Sequence, residues 1–212
     1  MEFIPKIPQF IVFEGLDGCG KSTQATLLAK LLREQGLKVL QTHAPSQNPI
    51  GTLIRQLIHS GQLYNDEVMA ILFAADLVHH YTTEIAPFLE RGGYVICDRY
   101  YYSNLGYQGT NPQALKRILE YNQAVFTPPQ KKPDIVFFLD VPPETCMERV
   151  LARSEDTSIY ENLARQKQVR KNYQAAFELL ENTENIKHID CATTSEQETL
   201  EIIRQILYTH ID

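Results

Sequence analysis

Residues 10–23 read Phe10-Ile-Val-Phe-Glu-Gly15-Leu-Asp-Gly-Cys-Gly20-Lys21-Ser22-Thr23, so an apolar run leads directly into the pattern Gly-x-x-x-x-Gly-Lys-Ser. The run has the length of a buried strand, and the segment that starts at Gln24 reads as a helix. In this context the pattern predicts a P-loop, because its glycines let backbone N–H groups and the positive end of the following helix converge on a phosphate. Lys21 would reach the β and γ phosphates of a nucleoside triphosphate, and the Ser22 hydroxyl could ligate Mg²⁺.

The composition is typical of one intracellular globular domain. The chain has 212 residues with 43% apolar content and no linker-like segment, so a single domain over residues 1–212 is expected. The four cysteines lie far apart without metal-binding spacing, as reduced cytoplasmic thiols do. The amino terminus fits neither a signal peptide nor a membrane span. A net charge of −6 argues against a broad nucleic-acid surface, so we expect a soluble cytoplasmic protein without nucleic-acid or membrane partners.

Strand-like and helix-like segments alternate along the chain. Continuous apolar runs such as residues 94–97 and 135–139 suit parallel strands that helices cover on both faces. The alternation predicts an α/β fold whose ligand site lies at the carboxyl ends of the strands. The helical pattern over residues 66–90 is apolar on more than one stripe, so this helix needs partners on two sides. Further predicted elements are strands at 10–13, 38–42 and 186–189 and helices at 50–59 and 196–208.

Asp98 and Arg99 follow the predicted strand at residues 94–97, where a parallel sheet presents its site. An aspartate there can hold Mg²⁺ directly or through water, and an arginine can bridge two phosphates through paired hydrogen bonds. The chain contains no Asn-Lys-x-Asp run, which weakens the interpretation as a GTPase. The P-loop and this second motif together favour a kinase.

With these motifs in place, the chain resembles the thymidylate kinases of the nucleoside monophosphate kinase group over nearly its whole length. The resemblance implies ATP- and Mg²⁺-dependent phosphorylation of dTMP to dTDP. It also implies a five-stranded parallel sheet in the order 2-3-1-4-5, a short lid at about residues 149–161, and a homodimer through residues 66–90. Besides the P-loop, it rests on Leu72-Phe-Ala-Ala-Asp76, Cys97-Asp-Arg-Tyr100, Ser103-Asn104, Tyr107-Gln108, Lys132-Pro-Asp134, Phe138-Leu-Asp-Val141, Tyr160-Glu161 and Ile189-Asp190.

On the ATP side, the matching positions imply that Asp98 supports the metal shell and that Glu161 approaches from the lid. Asp17 would orient the acceptor phosphate or the metal, and Arg99 would bridge the donor and acceptor phosphates. The implied catalytic residues are Asp17, Lys21, Arg99 and Arg153, and the implied metal contacts are Ser22, Asp98 and Glu161. The implied ATP contacts are Gly15, Gly18, Cys19, Gly20, Lys21, Ser22, Thr23, Arg149 and Arg153.

On the acceptor side, the resemblance implies that Phe73 stacks on the base and that Asn104 hydrogen-bonds the edge of the pyrimidine. Tyr107 would lie against the sugar and disfavour a 2′-hydroxyl. The implied acceptor contacts are Asp17, His43, Pro45, Phe73, Arg99, Ser103, Asn104, Tyr107, Gln108 and Tyr160.

The chain departs from the family pattern at several positions. His43 and Leu77 stand where family members commonly carry arginines that grip the acceptor phosphate and the base. Cys19 and Ile159 occupy places where a catalytic arginine is frequent, which leaves Arg149 and Arg153 for that role. These departures keep two alternatives open: a kinase for a different or modified nucleoside monophosphate, and a nucleotide-binding protein with weak or no kinase activity.

Overall fold

The computed structural model describes residues 7–60, 64–125, 132–152 and 162–209. Five parallel strands form one sheet in the order β2-β3-β1-β4-β5, which confirms the predicted fold class and strand order. The strands with continuous apolar sequences lie at the centre of the sheet, where helices cover both faces. The strands are β1 (Phe10–Glu14), β2 (Val39–His43), β3 (Tyr94–Asp98), β4 (Ile135–Asp140) and β5 (Ile186–Asp190).

Helices flank this sheet. The predicted helix over residues 66–90 forms without a break in the helical backbone. Its hydrogen-bonding pattern changes at a π-helical turn, Tyr81–Ile85, which separates α3 from α4. Between residues 101 and 180, the described parts of the chain contain four helices that were not assigned from the sequence. The helices are α1 (Lys21–Glu34), α2 (Pro49–His59), α3 (Asp66–His80), α4 (Ala86–Glu90), α5 (Tyr101–Gln108), α6 (Pro112–Val125), α7 (Pro143–Leu151), α8 (Leu163–Leu180) and α9 (Glu196–Thr209).

The core lies around β1 and its neighbours. Every residue of β1 is buried, and the rings of Phe13 and Phe137 stack across the β1–β4 pair with centroids 5.6 Å apart. Helix α1 packs on β1, β2 and β3, whereas α5 packs against α3, α6 and α8. Burial of these apolar side chains stabilises the sheet by removing their surface from water.

All five strands run in one direction, so their carboxyl ends lie along one edge of the sheet. The P-loop leaves β1 at this edge, and Arg99 follows β3 there. All four cysteines are buried free thiols. Among the helices of the described residues, none has the length and apolar character that a membrane crossing requires.

Candidate active site

The P-loop connects β1 to α1 through glycines with left-handed backbone. Gly18 has φ +88°, and a Cβ atom there would lie 2.3 Å from the carbonyl oxygen of Cys146. Gly20, with φ +104°, occupies the N-cap of α1 and has no side chain to cap it. The first N–H groups of α1, with the positive end of its dipole, are therefore suited to an anion.

A cleft of about 650 Å³ lies over the P-loop between α1, β2 and β3. Lys21 lines it, and its ammonium group donates to the carbonyl oxygen of Leu16 at 2.7 Å. Gly18, Gly20, Ser22 and Thr23 also line this cleft. Most of the predicted phosphate contacts therefore lie together.

Ser22 and Asp98 meet on the wall of the cleft, where the Ser22 hydroxyl donates to Oδ2 of Asp98. The other carboxylate oxygen of Asp98, Oδ1, is buried and has no hydrogen-bond partner among the described residues. Oxygen ligands of this kind suit Mg²⁺, which commonly takes one or two protein groups together with substrate phosphates. No cluster of three or more His, Cys, Asp or Glu residues within the described ranges is arranged to hold a metal ion. The residues present fit a phosphate-bound Mg²⁺.

Arg99 lies between the P-loop and α5, and both terminal nitrogens of its guanidinium are engaged. Nη2 donates to Oδ1 of Asp17 and, at 3.1 Å, to the hydroxyl of Tyr107. The Tyr107 hydroxyl donates to Oδ2 of Asp17 at 2.5 Å. Burial works to raise the pKa of Asp17, but the charges of Arg99 and Lys21 outweigh it and hold this pKa below its ordinary value.

A second cavity of about 210 Å³ adjoins the cleft, and its walls are mainly apolar. Asp17, Ala44 and Arg99 line both spaces, so they lie at the junction. Gln108 is buried, and neither polar atom of its amide has a hydrogen-bond partner among the described residues. We call this space the acceptor cavity because the following residues with a predicted acceptor contact line it: Asp17, Pro45, Phe73, Arg99, Ser103, Tyr107 and Gln108.

The geometry is that of two adjoining sites with a guanidinium and a carboxylate between them. The thymidylate kinase family model matches residues 13–203 of this sequence. The chain belongs to the thymidylate kinase family. The family's P-loop and Asp-Arg-Tyr motifs therefore account for the cleft and for the position of Arg99.

Curated relatives resemble the chain over most of its length. A probable thymidylate kinase of Thermococcus kodakarensis is 36% identical over 206 residues, covering 93% of this chain and 98% of the relative. A probable thymidylate kinase of Pyrococcus abyssi is 41% identical over 169 residues, or 77% of this chain and 80% of the relative. A thymidylate kinase of Thermomicrobium roseum is 39% identical, covering 79% and 80% of the two chains.

Three departures from the thymidylate kinase pattern have defined positions. Leu77 is buried in the hydrophobic core and is not among the residues that line the acceptor cavity. His43 lines the P-loop cleft, where its Nε2 lies 2.8 Å from the amide nitrogen of Gln47. Cys19 is buried in the P-loop, with its sulfur 3.8 Å from the Lys21 ammonium.

Other family motifs serve packing in this structure. The amide nitrogen of Asn104 donates to the carbonyl oxygen of Ala70 at 2.9 Å, and Asn104 does not line the acceptor cavity. Asp76 accepts hydrogen bonds from the backbone N–H and the hydroxyl of Ser46, at 2.8 and 2.5 Å. Both residues therefore tie α3 to its neighbours.

A third cavity of about 610 Å³ lies on the other side of the P-loop. Gly18, Cys19 and Arg149 line it together with the segment 191–199 after β5. Sequence reasoning missed this segment, although the rule that ligands bind at the carboxyl ends of parallel strands points to it. Arg153, Tyr160 and Glu161, and with them most of the predicted lid, lie outside the described residues.

Sequence reasoning also missed the site residues on α8. Gln166 donates from its amide to the carbonyl oxygen of Asp17 at 3.4 Å, and the hydroxyl of Tyr173 lies 3.4 Å from Nη1 of Arg99. Their helix carries an apolar spacing that could have revealed its buried face: Val169, Tyr173, Ala176, Phe177 and Leu180.

Proposed function

We propose that the protein transfers the γ-phosphoryl group of ATP to dTMP and forms dTDP and ADP. The observation that carries this proposal is the position of Arg99 and Asp17 on both the P-loop cleft and the acceptor cavity. A group at this junction can contact the donor and the acceptor phosphate together, which a phosphoryl transfer requires. Membership of the thymidylate kinase family supports the same reaction.

The chain would promote the transfer by positioning and by electrostatic stabilisation. The N–H groups of the P-loop and Lys21 would hold the donor phosphates, while Arg99 would neutralise the charge that spreads over the transferring group. Asp17 would keep the guanidinium turned toward the junction through their hydrogen bond. Ser22 and Asp98 would hold Mg²⁺, which neutralises phosphate charge when it is bound.

The acceptor cavity is suited to a pyrimidine nucleotide. Phe73 offers an aromatic face on its wall, and stacking on such a face stabilises a planar base. Gln108 presents a buried amide that has no hydrogen-bond partner within the described part of the chain, and an amide can pair with the alternating donor and acceptor atoms of a pyrimidine edge. Tyr107, fixed by Asp17 and Arg99, would border the sugar.

A coupled ADP-release assay with ATP, Mg²⁺ and a panel of dTMP, dUMP, dCMP, dGMP and UMP tests the proposal. We expect turnover to be fastest with dTMP, because a small apolar cavity accommodates a base with a methyl group. Hydrolysis of ATP without an acceptor gives the background. Preference for a different acceptor would reassign the substrate, and turnover no faster than the background would leave only nucleotide binding.

We also propose that the protein is a homodimer through α3. Val68 and Ile71 are 48% and 51% exposed on this helix and lie three residues apart, on one face. A second copy of the same helix could cover them, as the family resemblance implies. The four buried free thiols support a cytoplasmic location, where thiols stay reduced.

A further inference from the structure

A buried carboxylate lies behind Arg99. Glu14 is the last residue of β1 and is 0% exposed. Its Oε1 accepts from the backbone N–H groups of Tyr100 and Ser103, at 2.7 and 3.2 Å. Its Oε2 accepts from the Ser103 hydroxyl at 2.6 Å and from the Tyr173 hydroxyl at 2.8 Å. Burial raises the pKa of Glu14 above its ordinary value, although the charge of Arg99 opposes this shift. The ionised carboxylate is the form that accepts from all of these groups at once.

The two hydroxyl groups connect this carboxylate to Arg99. A hydroxyl has one proton to donate. The Ser103 and Tyr173 hydroxyls lie 2.9 Å from each other, but a carboxylate is a stronger acceptor than a neutral hydroxyl, so both donate to Oε2 of Glu14. Their lone pairs are then free for Nη1 of Arg99, at 2.9 Å from Ser103 and 3.4 Å from Tyr173. The carbonyl oxygen of Gly15 accepts from the same nitrogen at 3.2 Å. Glu14 thus sets the direction of two of the hydrogen bonds that Arg99 makes.

Arg99 needs such support because its backbone is strained. Its φ of +73° lies in the left-handed region, which non-glycine residues seldom adopt and which surrounding contacts must stabilise. The guanidinium has a supported edge, Nη1, and a working edge, Nη2, which contacts Asp17 and Tyr107 at the junction of the two cavities. The orientation of the supported edge fixes where the working edge points.

We propose that Glu14 is a positioning residue for phosphoryl transfer, acting through the hydroxyls of Ser103 and Tyr173 to fix the plane of the Arg99 guanidinium. The proposal rests on the function proposed above and assigns Tyr173, on α8, to the same task. Glu14 itself is fully buried and is not among the residues that line the P-loop cleft or the acceptor cavity. It works by making both hydroxyls acceptors toward Arg99.

Glu14→Gln is the sharpest variant because it reverses hydrogen bonds while keeping the shape of the side chain. The amide oxygen would accept from the backbone N–H groups of Tyr100 and Ser103, which leaves the amide nitrogen facing the hydroxyls of Ser103 and Tyr173. Those hydroxyls would then accept from the amide. One of them can donate to the other across 2.9 Å, which leaves the proton of the second to turn toward Nη1 of Arg99, so that a donor would face a donor. Tyr173→Phe removes one hydroxyl without this reversal.

The test compares kcat and KM in the ADP-release assay for wild type, Glu14→Gln, Tyr173→Phe and a control. We expect Tyr173→Phe to lower kcat about tenfold and Glu14→Gln to lower it about a hundredfold, with the KM for ATP within about twofold. The control is Tyr102→Phe. Tyr102 is as fully buried as Tyr173, and its hydroxyl donates to the carboxylate of Glu184 at 3.0 Å. This hydrogen bond lies away from the site. The control should keep the wild-type kcat.

Several outcomes would overturn the inference. Wild-type kcat in both Glu14→Gln and Tyr173→Phe would do so, as would an equal loss in Tyr102→Phe, which would indicate a general effect of lost stability. If Glu14→Gln does not fold, the kcat values of Tyr173→Phe and Ser103→Ala decide between the outcomes.

A second measurement tests positioning if the wild type does not phosphorylate dTMP and the proposed function fails. ¹⁵N NMR of the arginine side chains should show slow guanidinium rotation at Arg99 in wild type and faster rotation in Tyr173→Phe. Unchanged rotation would refute positioning.

Discussion

Arg99 uses both edges of its guanidinium, and this explains why a positive charge alone could not replace it. Nη1 donates to Gly15 and Ser103, while Nη2 donates to Asp17 and Tyr107. A lysine ammonium is a compact point charge on a flexible stem and cannot hold two edges apart. The planar fork is therefore needed to span the junction of the two cavities.

Arg99→Lys should lower kcat by about a thousandfold, since arginines that stabilise phosphoryl transfer contribute effects of this order. The dissociation constant for ATP, measured by isothermal titration calorimetry, should change less than about threefold because the P-loop contacts remain. Arg204→Lys serves as the control: this arginine pairs with Glu201 on α9, away from the cleft. A kcat for Arg99→Lys within tenfold of wild type would contradict the assigned role.

Among the elements, α3 holds the loop that follows β2. Asp76 binds Ser46 in that loop, and the Nε2 atom of His80 lies 2.8 Å from the hydroxyl of Thr42 on β2. The loop supplies Ala44 and Pro45 to the acceptor cavity. These hydrogen bonds from α3 to β2 and to the following loop therefore hold one wall of the site.

His80 makes the contact between α3 and β2 sensitive to pH. The side chain is 1% exposed, and burial lowers its pKa below the ordinary value of 6.5, although Glu84 and Asp76 oppose the shift. As pH falls through 6.5, the unfolded chain binds a proton at His80 while the folded protein does not, so the free energy of unfolding decreases. This contribution to stability is present above pH 6.5 and is lost toward the lower folded pKa.

His80→Gln should flatten the decrease in the free energy of unfolding between pH 7 and pH 5, measured by urea unfolding. Thr42→Val is the matched control, because it removes the hydroxyl at 2.8 Å and keeps the imidazole buried. It should lower stability by about 1 kcal/mol at each pH while retaining most of the slope. An identical slope in His80→Gln and wild type would show that His80 does not contribute.

At the scale of the whole molecule, the proposed homodimer depends on the exposed apolar face of α3. Val68 and Ile71 lie on this face and are about half exposed. Pairing of the same helix from two copies would bring each side chain against its counterpart, as a two-fold interface requires. Removal of this surface from water would stabilise the dimer.

Ile71→Asp should convert the protein from a dimer to a monomer at micromolar concentration, because a charge buried without a partner opposes association. Sedimentation velocity measures the change. The control is Leu179→Asp, since Leu179 is 60% exposed on α8 and lies on a different surface. A monomeric wild type, or an Ile71→Asp variant that remains dimeric, would refute assembly through α3.

Most of the fold was predictable from local patterns. Glycines in the P-loop, continuous apolar runs and the alternation of segments each reflect a short-range requirement: a left-handed backbone, burial on both faces, or a crossover between parallel strands. The strand order came from the family resemblance and is confirmed. The helices from α5 to α8 were not assigned, although α8 carries apolar residues at helical spacing, among them Val169, Tyr173 and Phe177.

For the site, the sequence alone predicted the P-loop and the Asp98-Arg99 motif, and the family resemblance implied Phe73 and Tyr107, which line the acceptor cavity. Only the tertiary structure decided that Leu77 belongs to the core and that Tyr173 lies beside Arg99, 74 positions away along the chain. The physical reason is that a phosphate-binding loop is built from neighbouring residues, whose spacing is visible in the sequence. The orientation of a guanidinium depends on hydroxyls and carboxylates that packing brings together from distant segments.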